Sequence, residues 1–459
     1  MYIDQIRLTR FKLFKELTLS PKSITLLTGA NSSGKSTVLN SLAAITQTGR
    51  PHSYPFDFVA NGTNCSLGSY GDIATGHDLS QSFGIGICAT LANEHISLDA
   101  SYRYSSLGDH ISLDSMQFKT NKDNLAVDWL GANKGYKITL SAQSMREIQS
   151  NVEYRNFIDA MERFLSRAAK EQEKSAHSKG RNNLKRKLLE PPSRRTAYYI
   201  KDDIPSRDIP DKIEEYPAGS FIQQHLRAFV NEFLRTVGYV GPVRAAPLRY
   251  YAPDRPHLSV DPSGFNCAHL LHHWHKHDKK RFSELCGLLD QLELVKRLSP
   301  KAGKDEILKM MVTPHKHKEN ANMADVGFGV SQALPIIAAD VALPDASVLL
   351  VNQPEVHLHP TAQAQLANYF VGRIKQRQYI IETHSEYIIN RLRLLVQQGV
   401  VPSEKIVIIF FGSGRNKDKS PDKYHIQIQS DGSLKGAPRE FFQTYYSDSF
   451  QLAMGPIKK

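Results

Sequence analysis

The stretch SITLLTGANSSGKSTVL, residues 23–39, constrains the fold of this chain more than any other. A short apolar run leads into a glycine-bearing loop and then the opening of a helix, with Gly29, Gly34, Lys35 and Ser36 at the G-x-x-x-x-G-K-[ST] spacing. Each residue type has a physical reason to be there. The glycines let the backbone curl so that N–H groups converge on phosphate at a helix N-terminus, Lys35 brings charge to the outer phosphates, and Ser36 offers a hydroxyl to Mg²⁺. Asn31, Ser32, Ser33 and Thr37 complete the predicted phosphate-binding stretch. The chain is therefore expected to be α/β, and Lys35 is expected to stand exposed until a ligand arrives.

The second end of such a site is SVLLVNQPEVHLHP, residues 347–360. Its apolar run ends in Asn352 and Gln353, where a carboxylate for Mg²⁺ and a carboxylate base are expected. Both carboxamides hydrogen-bond, but neither carries charge or accepts a proton at neutral pH. Mg²⁺ prefers carboxylate and phosphate oxygens, so Ser36 and the triphosphate would hold it almost alone, with Asn352 as a weak ligand. Loss of a positioned base costs about 10²- to 10⁴-fold in rate. Nucleotide binding should survive and hydrolysis should be slow. Glu355 follows across Pro354, and a turn there would swing its carboxylate toward the γ-phosphate; the other reading is a structural or dimer-contacting glutamate.

Between these ends lies ADVGFGVSQALPIIAADVAL, read as a helix running from about Ser331 to Leu343, with Pro335 near its first turn. After them comes QYIIETHSEYIINRL, a strand ending at Thr383, His384 and Ser385. This order of motifs resembles the ATP-binding-cassette ATPases of the RecF, Rad50 and SMC type. The resemblance implies an ABC-type head that binds ATP with Mg²⁺ and pairs with a second head. Ser331 and Gln332 of one head would contact the γ-phosphate on the other, His384 would be the switch histidine, and Gln353 would occupy the place of the catalytic glutamate. Further stretches, LTRFKLFKELTL, YVGPVRAAPLRYY, PEVHLHP and DGSLKGAPREFFQTYY, resemble stand-alone ATPases of prokaryotic anti-phage operons. The ATPase subunit of the Septu type, which works beside a separate HNH nuclease, is the preferred relative, although residues 145–235 contribute nothing to the resemblance.

Three segments are expected: an N-terminal lobe over 1–143 with the P-loop and an antiparallel β-subdomain, a short inserted helical arm with a basic loop over 144–238, and a C-terminal lobe over 239–459. Period-two alternation in LANEHISLDASYRYSSLG supports the β-subdomain. Gln81 is read as a solvent-facing loop residue rather than a metal-reaching glutamine. The arm carries Lys179, Arg181, Lys185, Arg186, Lys187, Arg194 and Arg195, a solvated loop or a set of phosphate contacts to DNA or RNA. The whole chain has 58 Lys and Arg against 46 Asp and Glu, a net +12 that would attract polyanions.

Five histidines fall between His269 and His277, and the helical i, i+4 pair His269 and His273 is the candidate metal pair, weighed against a plain polar helix surface. Cys65, Cys88, Cys267 and Cys286 form no C-x-x-C pair, which argues against a structural zinc site or a disulfide framework. No run of about 18 apolar residues and no signal peptide is evident, so a cytoplasmic protein without a membrane span is expected. Two rival functions stay open: a DNA-stimulated ATPase of RecF- or Rad50-like repair, and a metal-dependent nuclease like the overcoming-lysogenisation-defect family.

Overall fold

The structure is a computed structural model and describes residues 1–49, 57–91, 93–105, 110–121, 124–130, 136–140, 197–200, 229–255, 257–303, 306–315, 319–412, 421–438 and 441. The basic run between Lys179 and Arg195 and the helix expected over about 144–174 lie outside these residues; of the second expected helix, GSFIQQHLRAFVNEFLRTV, residues 229–236 are described and are helical.

Residues Tyr2–Phe11 (β1), Phe14–Leu19 (β2), Phe83–Leu91 (β4), Glu94–Ser105 (β5), His110–Lys119 (β6), Asn124–Trp129 (β7), Tyr136–Leu140 (β8) and Ala197–Ile200 (β9) form one sheet in the order β2-β1-β4-β5-β6-β7-β8-β9, antiparallel throughout. The expected β-subdomain is present, and its alternation has the usual cause: in β5, Ile96, Leu98, Ala100 and Tyr102 are buried while the residues between them are less covered. The strand β9 returns to this sheet from within the segment assigned to the arm.

The second sheet joins Ile24–Gly29 (β3), Val237–Val240 (β10), Ser347–Asn352 (β14), Arg377–Glu382 (β15), Ile406–Phe411 (β16), Lys423–Ile428 (β17) and Leu434–Lys435 (β18) in the order β10-β14-β15-β3-β16-β17-β18. The first five positions are parallel, and β17 and β18 close the edge antiparallel. All six residues of β14, β15 and β16 are buried, as parallel strands covered on both faces must be. Val348 and Leu350 pack with the helix Lys35–Thr48 and the antiparallel sheet, whereas Leu349 and Val351 face the helices Phe328–Ala342 and Pro360–Gly372. The P-loop is thus carried on a central strand with β15 and β16 on either side, and β14 one place further out. A small three-stranded sheet, Arg297–Ala302 (β11), Leu308–Thr313 (β12) and Ala321–Asn322 (β13), packs beside the helix Cys267–His277. The four cysteines are free thiols. No helix among the described residues is long and apolar enough to cross a membrane.

Candidate functional site

The glycines of the P-loop are required by geometry. Gly29 has φ +131°, and a Cβ there would lie 2.0 Å from the carbonyl oxygen of Phe411 on β16. Gly34 has φ +90°, with the Phe14 ring 2.5 Å from where its Cβ would be, and it caps the helix Lys35–Thr48. Lys35 departs from expectation: it is 4% exposed. Its Nζ donates to the carbonyls of Gly29 (3.2 Å) and Ala30 (2.6 Å), so the ammonium is satisfied by the backbone of its own loop. Burial lowers its pKa, and the Glu382 carboxylate opposes that shift.

Glu382 is the functional residue that sequence reasoning missed. β14 and β15 run in parallel with Asn352 directly opposite Glu382, so the two side chains leave the strand ends together. Ser36 Oγ donates to Glu382 Oε1 at 2.8 Å. Among the described residues, the second carboxylate oxygen, Oε2, and Asn352 Oδ1 are buried without partners, as is Ser33 Oγ. The Tyr239 hydroxyl donates to Asn40 Oδ1 at 3.2 Å, and burial pushes its pKa up to about 12. Burial also raises the pKa of Glu382, against the stabilising Ser36 hydroxyl and Lys35 charge. A hydroxyl, an amide oxygen and a carboxylate, two of them with orphaned buried atoms, form a donor set that fits a hard divalent cation. The expectation that Ser36 would have no carboxylate beside it is therefore corrected. The signal was present as the Glu ending the apolar run in IIETHS, but its partner lies thirty residues away.

Ser33, Ser36 and Glu382 open on a cleft of about 610 Å³ lined by the P-loop, Gln353, Glu382 and His384; Asn352 is buried behind it and is not among the lining residues. Lys12, Asp72, Ala74, Gly76 and His77, from the antiparallel sheet and its loops, also line the cleft. Gln81 stands in an exposed loop, donating to Asp78 Oδ2 at 2.7 Å, in keeping with its solvent-facing reading. His384 is exposed at the cleft, and desolvation followed by the Lys35 charge lowers its pKa, which favours the neutral imidazole. Gln353 is held by its backbone at φ +47°: its N–H donates to the Glu382 carbonyl (2.8 Å) and its carbonyl accepts from Arg244 Nη2 (2.7 Å).

Glu355 points elsewhere. Oε2 accepts from Thr383 Oγ1 at 2.9 Å and Oε1 from the His384 N–H at 2.7 Å, and the residue is not among those lining the cleft. Both oxygens hold the turn that carries His384. The helix around the signature begins at Phe328, earlier than expected, so Ser331 lies a full turn inside it. Ser331 is buried and its hydroxyl donates to the Phe328 carbonyl at 2.8 Å; Gln332 is buried too. Gln332 is instead tied to Arg244, a second residue the sequence did not single out. The Arg244 guanidinium is 5% exposed and donates to Gln332 Oε1 (3.4 Å), Asn352 O (3.3 Å) and Gln353 O (2.7 Å). Burial lowers its pKa to about 10, and Glu355 opposes this. One side chain thus links the signature helix to the end of β14.

The sheet order, the phosphate loop and the polar strand ends together define a P-loop nucleotide-binding protein. The sequence matches the family model described as the AAA ATPase domain over residues 1–232 and 270–389, and the chain belongs to that family. No curated protein matches it. Among solved structures, the Smc head domain with an extended coiled coil bound to the C-terminal domain of ScpA, from Pyrococcus furiosus, is similar at 11% identity and TM-score 0.44, covering 98% of this chain and 100% of that chain. The SmcHead bound to the C-winged helix domain of ScpA is similar at 12% identity and TM-score 0.40, over 94% and 98% of the two chains. The SMC head domain from Thermotoga maritima is similar at 8% identity and TM-score 0.37, over 95% and 100%.

Proposed function

We propose that this chain binds ATP with Mg²⁺ in the cleft between the P-loop and the ends of β14 and β15 and hydrolyses it slowly. The observation that carries the reading is the contact between Ser36 and Glu382, with Glu382 Oε2 and Asn352 Oδ1 buried and unpartnered beside it. Ser36, Asn352 and Glu382 would hold the metal ion, which supplies charge neutralisation at the outer phosphates. Lys35 would exchange its two loop carbonyls for phosphate oxygens, and the P-loop N–H groups would orient the triphosphate. Slow turnover follows from the rest of the site: Gln353 accepts no proton, Glu355 spends both oxygens on the Thr383–His384 turn, and His384 is left to contact the γ-phosphate as a neutral imidazole.

The reading extends to assembly. Two copies would pair with their clefts facing, Ser331 and Gln332 meeting the partner's nucleotide after the start of their helix rearranges. Phe328, 54% exposed, and His357 form a ring pair at 5.8 Å at the start of that helix and would lie at the interface. ATP-dependent pairing would then restrain a separate nuclease, of the HNH kind, in a cytoplasmic anti-phage system. Motif resemblance supports that last step, and the net charge of +12 leaves room for DNA contact. The test is to identify an HNH-type nuclease that co-purifies with this chain and titrate ATP against DNA cleavage by the pair; failure of any nuclease to co-purify also rejects the restraint. Cleavage should fall as ATP rises; cleavage that rises with ATP or ignores it rejects the restraint.

A further inference from the structure

We propose that Asp254, His257 and His269 form a binding site for a zinc-type divalent transition-metal ion, separate from the nucleotide cleft. The three offer ligand atoms that all lie within 4.8 Å of one another. His269 comes from the helix Cys267–His277, whereas Asp254 and His257 come from the segment after Tyr251, so the cluster joins two parts of the chain.

The imidazole of His269 is set up as a ligand. Its Nε2 lies 2.7 Å from the Ala252 carbonyl, which has only lone pairs to offer, so Nε2 carries the proton and Nδ1 presents a bare lone pair. That Nδ1 is buried and has no partner among the described residues. A metal-binding histidine characteristically donates its other ring nitrogen to a carbonyl or carboxylate in this way, and an orphaned buried acceptor calls for a partner. The Tyr251 ring meets the imidazole edge-on at 6.0 Å and fixes its plane. Asp254 is oriented too: its Oδ1 accepts from the Arg255 N–H at 2.7 Å, and its Oδ2 lies 2.9 Å from His257 Nε2. Two imidazoles and one carboxylate suit zinc and its neighbours better than Mg²⁺ or Ca²⁺. The predicted partner of His269 is elsewhere: His273 packs its ring against His277 at 4.9 Å.

Such an ion would pin to its helix the segment that also carries Arg244 and Arg249. Arg244 holds the end of β14, and Arg249 pairs with Asp325 just ahead of the helix Phe328–Ala342. The full chain, stripped with a chelator, is dialysed against zinc chloride without nucleotide, and bound metal is counted by elemental analysis; cobalt chloride reports coordination through its visible absorption. One equivalent should bind, with tetrahedral-type cobalt bands. His269→Ala and Asp254→Asn should each weaken uptake by tenfold or more, while His273→Ala/His277→Ala and Lys35→Ala should leave it unchanged. His257→Ala, on the loop side, carries the same prediction if His269→Ala does not fold. No uptake at micromolar zinc, full uptake by the His269 or His257 variant, or loss of uptake in the His273/His277 double variant overturns the site.

Discussion

Replacing Glu382 by Gln removes one charge from the cleft with almost no change of shape. In the unliganded protein the effects nearly cancel. The Ser36 hydrogen bond to an ionised acceptor is worth about 1.5–3 kcal/mol and one to an amide about 0.5–1.5, so about 1 kcal/mol is lost. Against this, burial raises the Glu382 pKa, so the ionised carboxylate is a burden that Gln relieves. The pH dependence has a definite sign. A carboxyl whose folded pKa lies above its unfolded value contributes stability below the unfolded pKa and loses it as pH rises through the folded one. The variant should therefore stand near wild type at pH 7 and fall behind it as pH drops into the ordinary carboxylate range, measured by urea unfolding at several pH values. Nucleotide binding should respond quite differently. With Asn352 neutral, Glu382 is the carboxylate that Ser36 meets among the described residues, and its loss should weaken Mg²⁺-dependent ATP binding by about 10²-fold, equivalent to roughly 2.7 kcal/mol. Affinity measured by calorimetry in EDTA should change far less. Equal MgATP affinity for wild type and Glu382→Gln would refute the reasoning.

Four other outcomes are expected. Lys35→Ala should abolish ATP binding by calorimetry while far-UV circular dichroism stays native, because the two carbonyls it leaves belong to a loop at the cleft. Arg244→Met should lower stability to urea by about 2–3 kcal/mol, since the buried carbonyls of Asn352 and Gln353 lose a donor at about 1–3 kcal/mol each while relief of guanidinium desolvation offsets part. Gly29→Ala should leave little soluble folded protein, seen by gel filtration, because the new Cβ would drive β16 away from β3. Ser331→Arg should block ATP-dependent association by light scattering; because Ser331 is buried in the single head, Ser331→Ala serves as the control for folding.

The P-loop was legible because its information is local: the strand, the two glycines and the helix start stand in one run of seventeen residues. The antiparallel sheet was legible for the same reason, through the alternation in residues 91–108. What escaped was information carried by pairing. The meeting of Glu382 with Asn352 depends on which parallel strand lies beside which, and nothing in either strand's own pattern states it. Arg244 escaped likewise, since its three acceptors come from two distant segments. The His269–His273 pairing was a local periodicity argument weighed against a polar helix surface; in the fold His269 Nε2 faces the Ala252 carbonyl and His273 packs against His277. The exposure expected of Lys35 failed because a buried ammonium seeks acceptors, and the curled loop supplies them.

The central claim is that this cleft holds ATP and converts it slowly, and single-turnover quenching tests it most directly. The protein is loaded with MgATP in excess over nucleotide, and bound ATP and ADP are separated over time. A typical turnover of about 10 s⁻¹, reduced by the about 10²- to 10⁴-fold cost of a missing base, predicts a rate on the order of 10⁻¹ to 10⁻³ s⁻¹. Asn352→Asp with Gln353→Glu should raise that rate by about 10²-fold. Conversion near 10 s⁻¹ in the natural chain, abolished by Glu355→Gln, would contradict the account.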